Sequence, residues 1–227
     1  RQSAEAQVRA DLALAGCEVL DSTEIDPIAY HALLVRVDAA TADATLRGTS
    51  VLVSNARVSL VRPQMLATER LAVGPLERST YEAASDPADA PPLIGVLDAV
   101  PITGHQLLRN RVVLDDPDSV QDRIPVSERV HGTAVASLVV WGDREIDGLD
   151  PLARRVYTRP LFTDGSLRRG VFEESMPSDR LAVAVMNEIL ERMYVGVDGD
   201  APVAPTVRVV LIAAGHTALP FGSKMSP

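Results

Sequence analysis

One cysteine, one lysine and 4% aromatic residues set the first bounds on this 227-residue chain. With Cys17 alone, neither an intramolecular disulfide nor a cysteine-cluster metal site can form. The apolar runs fall far short of the roughly 20 residues that cross a bilayer. The N-terminal RQSAEAQVRADLALAG is charged and amphipathic and lacks the apolar centre of a secretory signal. Positive charge is scarce, with 22 Lys and Arg against 31 Asp and Glu, for a net charge of −9. That sign repels phosphate, so neither nucleic acid nor a membrane surface is expected as a partner. What is present is 46% hydrophobic and 23% charged residues, enough to build a buried core. Together these features predict a cytoplasmic protein.

The clearest shift in composition is EAASDPADAPP, residues 82–92, which reads as a linker between residues 1–81 and 93–227. In the first part, Ala6, Val8, Leu12, Leu14 and Ala15 recur near a helical period, and Gly16 closes the run. CEVLDSTEI and YHALLVRVD read as strands around an Asp26–Pro27 turn, AATADATLRG as a helix, and SVLVSNARVSLVRP as a third strand. This α-β-β-α-β order predicts a small α+β, ferredoxin-like domain. In the second part, the strand-like runs PLIGVLD, RVYTRPLF and VRVVLIAAG alternate with HGTAVASLVVWG and SDRLAVAVMNEILERMY, both helical. Such alternation predicts an α/β fold, a parallel sheet with flanking helices and a site at the carboxyl ends of its strands.

Three segments there carry candidate chemistry. Asp98 closes the strand in GVLDAVP, His131 opens the helix in HGTAVAS, and Gly215–His216 ends the last strand. A carboxylate that holds one imidazole nitrogen fixes the tautomer, so the other nitrogen can take a proton from a nucleophile. The helix N-terminus disfavours the imidazolium while the carboxylate stabilises it, which keeps the base near neutrality.

GVLDAVPITGHQLL followed by HGTAVASLV resembles the subtilisin-like serine proteases (subtilases) of the bacterial cytoplasmic type. In that family the Asp closes a strand and the His opens a helix in an HGT motif. The two lie 33 positions apart here, a spacing that suits the family. The resemblance spans about residues 91–220. It implies a subtilisin-like catalytic domain over 93–227, a serine endopeptidase acting on polypeptides through an Asp-His-Ser triad, and no cofactor or metal. It also implies that residues 1–81 form a prodomain-like or recruitment module able to contact the protease domain. The alternative on the same fold is a catalytically inactive binding or interaction module.

The sequence departs from the family at three places. His216 stands where the family carries the Asn that donates to the oxyanion, which makes His216 the oxyanion-hole candidate. VRVV and LIAAGH look like two consecutive core strands, yet they abut at Val210–Leu211. Parallel strands need a crossover of about a dozen residues, so this reading expects residues missing between those positions. The nucleophilic serine is not recognisable, so the domain reads as incomplete. Ser223, in PFGSKMSP, has its Gly at the wrong offset.

The other conspicuous residues read as structural. His31 sits in a strand pattern, His105 follows a turn, Trp141 packs a helix end, and Met186, Leu190 and Met193 share a helix face. No basic group beside Cys17 suggests an activated thiolate. The acidic VLDDPDSVQDR, residues 113–123, reads as a solvated loop; as a cation site it lacks the Gly-containing turn of a Ca²⁺ loop. A nucleotide site is disfavoured, because no Gly-rich phosphate loop follows a strand.

Overall fold

The helical period at the N-terminus produces α1, Ala4–Leu14, in the computed structural model, which describes residues 4–64, 68–69, 86–143, 146, 149–168 and 171–214. Gly16 ends α1 at φ +72°, and the Cys17 amide reaches back to the Leu12 carbonyl at 2.9 Å. That left-handed step suits glycine, which carries no Cβ to clash. Two antiparallel strands follow, β1 (Glu18–Ile25) and β2 (Tyr30–Arg36), joined by a 3₁₀ turn at Asp26–Ile28 with Pro27 inside it. Next comes α2, Ala39–Leu46, whose Asp38 cap accepts the Thr41 amide at 2.7 Å. The expected third strand does not form. Val51–Ser54 is one helical turn, α3, and no strand is assigned over residues 55–64, so the described residues here hold a two-stranded sheet. SVLV holds only two β-branched residues, Val51 and Val53, too few for propensity to override its local hydrogen bonds.

The chain divides into two compact units, residues 1–65 with 178–185 and residues 66–177 with 186–227. Within the first, Asp21 accepts the Leu181 amide at 2.7 Å, and Gln64 bonds the Arg180 carbonyl and the Ala182 amide at 2.9 and 3.1 Å. Of the expected linker, residues 82–85 lie outside the described residues.

The second unit holds the short β3 (Thr68–Glu69), β4 (Ile94–Asp98), β5 (Val112–Leu114), α4 (Val120–Arg123), α5 (Val130–Trp141), β6 (Val156–Pro160), the hairpin strands β7 (Asp164–Arg168) and β8 (Val171–Ser175), and β9 (Val209–Ile212). Helix α6, Ala182–Tyr194, leads into β9. Strands β5, β6, β4 and β9 lie in that order in one sheet, and every pair is parallel, as the alternation predicts. The architecture is α/β, a four-stranded parallel sheet flanked by helices. A separate antiparallel sheet runs β3-β8-β7.

Val210 and Leu211 are consecutive in β9 and pair in register with Gly95 and Val96. Val209–Val210 and Leu211–Ile212, read as parts of two strands, therefore form one strand here. The conflict arose from counting one strand twice.

Alternation along β4 decides what each face meets. Val96 points into a cluster with Leu108, Ala136, Val140 and Val156, so that face lies under α5. Gly95 turns to the other face, where a Cβ would stand 3.5 Å from Met193 of α6 and 3.3 Å from Val207. On α6, Ile189 and Met193 are buried one turn apart, but Leu190 is exposed, so it is not part of the core face expected of it.

The acidic stretch 113–123 is neither a loose loop nor a cation site. It begins in β5 and ends in α4. Asp115 accepts the Tyr157 hydroxyl at 2.8 Å and the Arg192 guanidinium at 3.0 Å, Asp116 caps α4 through the Val120 and Gln121 amides, and Asp118 pairs with Arg159 at 2.7 Å. Each of these carboxylates is committed to a protein donor.

Candidate functional site

Asp98 is the last residue of β4, on the face shared with Val96, which directs its side chain toward α5. From β4 the chain crosses to β5 on one side of the sheet, whereas from β6 it crosses through α6 to β9 on the other. The carboxyl ends of neighbouring β4 and β6 therefore flank a topological switch point, where open parallel sheets leave a crevice for ligands. Asp98 stands at that crevice, in register with Pro160 of β6.

The HGT segment carries the partner. His131 lies in the first turn of α5, and its Nδ1 is 3.0 Å from Asp98 Oδ1. The Asp98 side chain is 1% exposed and that of His131 is 11% exposed, so the carboxylate is sealed in while the imidazole borders solvent. Burial pushes the Asp98 carboxyl up from its ordinary value, and His131 and the Ala99 amide pull it partly back. A carboxylate on Nδ1 selects the tautomer protonated there, so Nε2 is the nitrogen suited to accept a proton.

Gly132 makes this approach possible. A Cβ at 132 would overlap the Ala99 carbonyl oxygen and stand 2.7 Å from its carbon. Both obstacles are backbone, so only glycine lets the start of α5 come this close to the end of β4. Thr133 then ties the two elements together. It is buried, accepts the Ile102 amide at 2.9 Å and donates to the Arg129 carbonyl at 2.6 Å. Thr133→Val should lower stability by about 1–3 kcal/mol by leaving buried groups unpaired. Urea unfolding followed by Trp141 fluorescence checks this, and Thr133→Ser should restore most of the loss.

A third ionisable group at the site went unseen in the sequence. Glu174 of β8 is 3% exposed and held at about 8, well above the ordinary 4.5, first by burial and then by repulsion from Asp98. Its Oε1 is buried and has no hydrogen-bond partner among the described residues. The alternation of VFEES was the available signal, since it places Phe172 and Glu174 on one face. Phe172 packs on Val100, two residues past Asp98, together with Val120 and Ile124.

Neither His31 nor His105 joins the pair. His31 lies 3.3 Å from Glu5 at the surface of the first unit, and His105 accepts the Leu107 amide within a turn at 3.4 Å. Trp141 donates to the Leu107 carbonyl at 2.8 Å beneath the Arg111 guanidinium. Burial raises the Cys17 thiol, in keeping with an inert side chain. His216 and Ser223 lie outside the described residues. Among the described residues, no group of His, Cys, Asp and Glu could hold a metal ion, and no helix is long and apolar enough to cross a membrane. Set against protein-family models, curated proteins and solved structures, the chain matches none of them.

Proposed function

We propose that this chain carries the acid–base half of a subtilisin-like serine endopeptidase. The observation that carries the reading is the buried Asp98 carboxylate 3.0 Å from His131 Nδ1, at the carboxyl end of a parallel strand. In this reading a serine hydroxyl attacks the peptide carbonyl and passes its proton to His131 Nε2. Asp98 stabilises the imidazolium that forms, and the same proton then leaves with the departing amine. The attacking serine is not among the described residues assigned to the site.

A fluorophosphonate that reacts with activated serines tests this on the full chain. The native protein should label, and His131→Ala should abolish labelling. Asp98→Asn should slow it by roughly 10³–10⁴-fold, the penalty expected when the imidazole loses its tautomer. Absence of labelling in the native chain, while a control protease reacts, overturns the reading in favour of a non-catalytic binding module.

A further inference from the structure

Arginine is a poor residue with which to open a helix. Its side chain holds no acceptor for the first-turn amides, and its charge meets the positive end of the helix dipole. Arg129 nevertheless stands at the cap position of α5, two residues before His131, and its side chain makes no capping bond there. Its hydrogen bonds run the other way, to α4. Nε donates to the Ile124 carbonyl at 2.9 Å, and Nη2 donates to the Gln121 carbonyl. In a continuing helix the Gln121 carbonyl would receive the amide of residue 125, but Pro125 has none to give. The planar guanidinium supplies what the backbone lacks, with two N–H groups in a fixed fork.

Helix α4 is itself fixed to the exit of β4. Val120 and Ile124 pack on Val100, two residues past Asp98. On the other side, the Arg129 carbonyl accepts the Thr133 amide at 3.3 Å and the Thr133 hydroxyl at 2.6 Å, which closes the turn of α5 that carries His131. Arg129 therefore joins the helix of His131 to a segment packed against the strand of Asp98.

Resting on the peptidase reading above, we propose that Arg129 is a positioning residue that acts through His131. The Thr133–Ile102 bond attaches the start of α5 to the turn after β4 at one point. The grip of Arg129 on α4 is a second point, and two points fix the rotation of a helix where one leaves it free. That rotation decides whether Nδ1 of His131 stays 3.0 Å from Asp98. A lysine at 129 would keep the charge but has no rigid fork to span two carbonyls.

Two variants of the full chain separate these contributions. Arg129→Lys keeps the charge and removes the fork, and Arg129→Ala removes both. Phosphonate labelling should fall ~10²-fold in each, the penalty of a displacement near 1 Å. The downfield NMR signal of the proton shared by His131 and Asp98, assigned by its absence from His131→Ala, should broaden or vanish in each. Millimolar guanidinium chloride should return both readouts in Arg129→Ala and leave Arg129→Lys unchanged. Native labelling in either variant overturns the proposal, since in Arg129→Lys it would mean that the charge suffices. A folded Arg129→Ala that guanidinium does not rescue has lost reactivity through general loosening, which also overturns it. So does a failure of both variants to fold in melting curves followed by Trp141 fluorescence. If the native chain never labels, the peptidase reading fails, and the downfield signal with its rescue still decides the role of Arg129.

Discussion

Gly132→Ala should separate Asp98 from His131 and destabilise the unit that contains them by about 3–5 kcal/mol, the upper range for a single substitution. The added methyl would overlap the Ala99 carbonyl oxygen and lie 3.0 Å from the Val100 carbonyl carbon. A flexible side chain could swing aside, but here the obstacle is the turn leaving β4, itself held by the Thr133–Ile102 bond. Either α5 backs away or the 99–102 turn shifts, and each outcome lengthens the 3.0 Å contact. Gly132 is already helical, so alanine brings no backbone penalty and the effect isolates the close approach. Phosphonate labelling should fall at least ~10²-fold, since displacements near 1 Å carry penalties of that order. Gly104→Ala is the control. A Cβ there meets nothing within 4 Å, so stability and labelling should stay near native. Native-like labelling in Gly132→Ala would show that the Asp98–His131 distance does not govern reactivity.

The dyad was legible in the sequence because each partner carries its own local signature. GVLD is a buried apolar run ending in an acid, and HGT opens an apolar helix, so both side chains could be placed at element ends without knowing the fold. Parallel pairing of β4, β6 and β9 followed from strands alternating with helices, and the structure has it so. The failures arose where information is not local. The Val210–Leu211 junction looked like a chain break because a family template was laid over a single four-residue strand. Strand β5 was hidden inside an acidic segment whose carboxylates find partners far along the chain, Asp115 with Arg192 and Asp118 with Arg159. Glu174 escaped for the same reason. The alternation of VFEES puts Glu174 on the face of Phe172, but the Asp98 that helps raise its carboxyl lies 76 residues away in sequence, so its burial is not local information. Long-range pairing sets burial, and burial sets the chemistry of a carboxyl.

Burial also makes Glu174 a strong expected source of pH-dependent stability. Its folded value of about 8 lies above the ordinary 4.5. Between those limits the folded chain keeps a proton that the unfolded chain has released, so rising pH favours unfolding. The contribution is fully present below the unfolded value and is lost as pH climbs through the folded one. Spread over that interval, the linkage has an upper limit of roughly 5 kcal/mol. Asp98 is raised in the same direction and adds to the loss with the same sign. Glu174→Gln keeps the shape and removes the titration. Near pH 5, where native Glu174 is neutral, the variant should match the native chain to within about 1 kcal/mol, the net value of a neutral polar exchange. Near pH 9 it should be the more stable protein by several kcal/mol, with a clearly higher urea midpoint. Trp141 is the only tryptophan and lies on α5 in the same unit, so its fluorescence reports the unfolding that matters. Equal midpoints for the two proteins at both pH values would mean that Glu174 is ionised and solvated in the folded state.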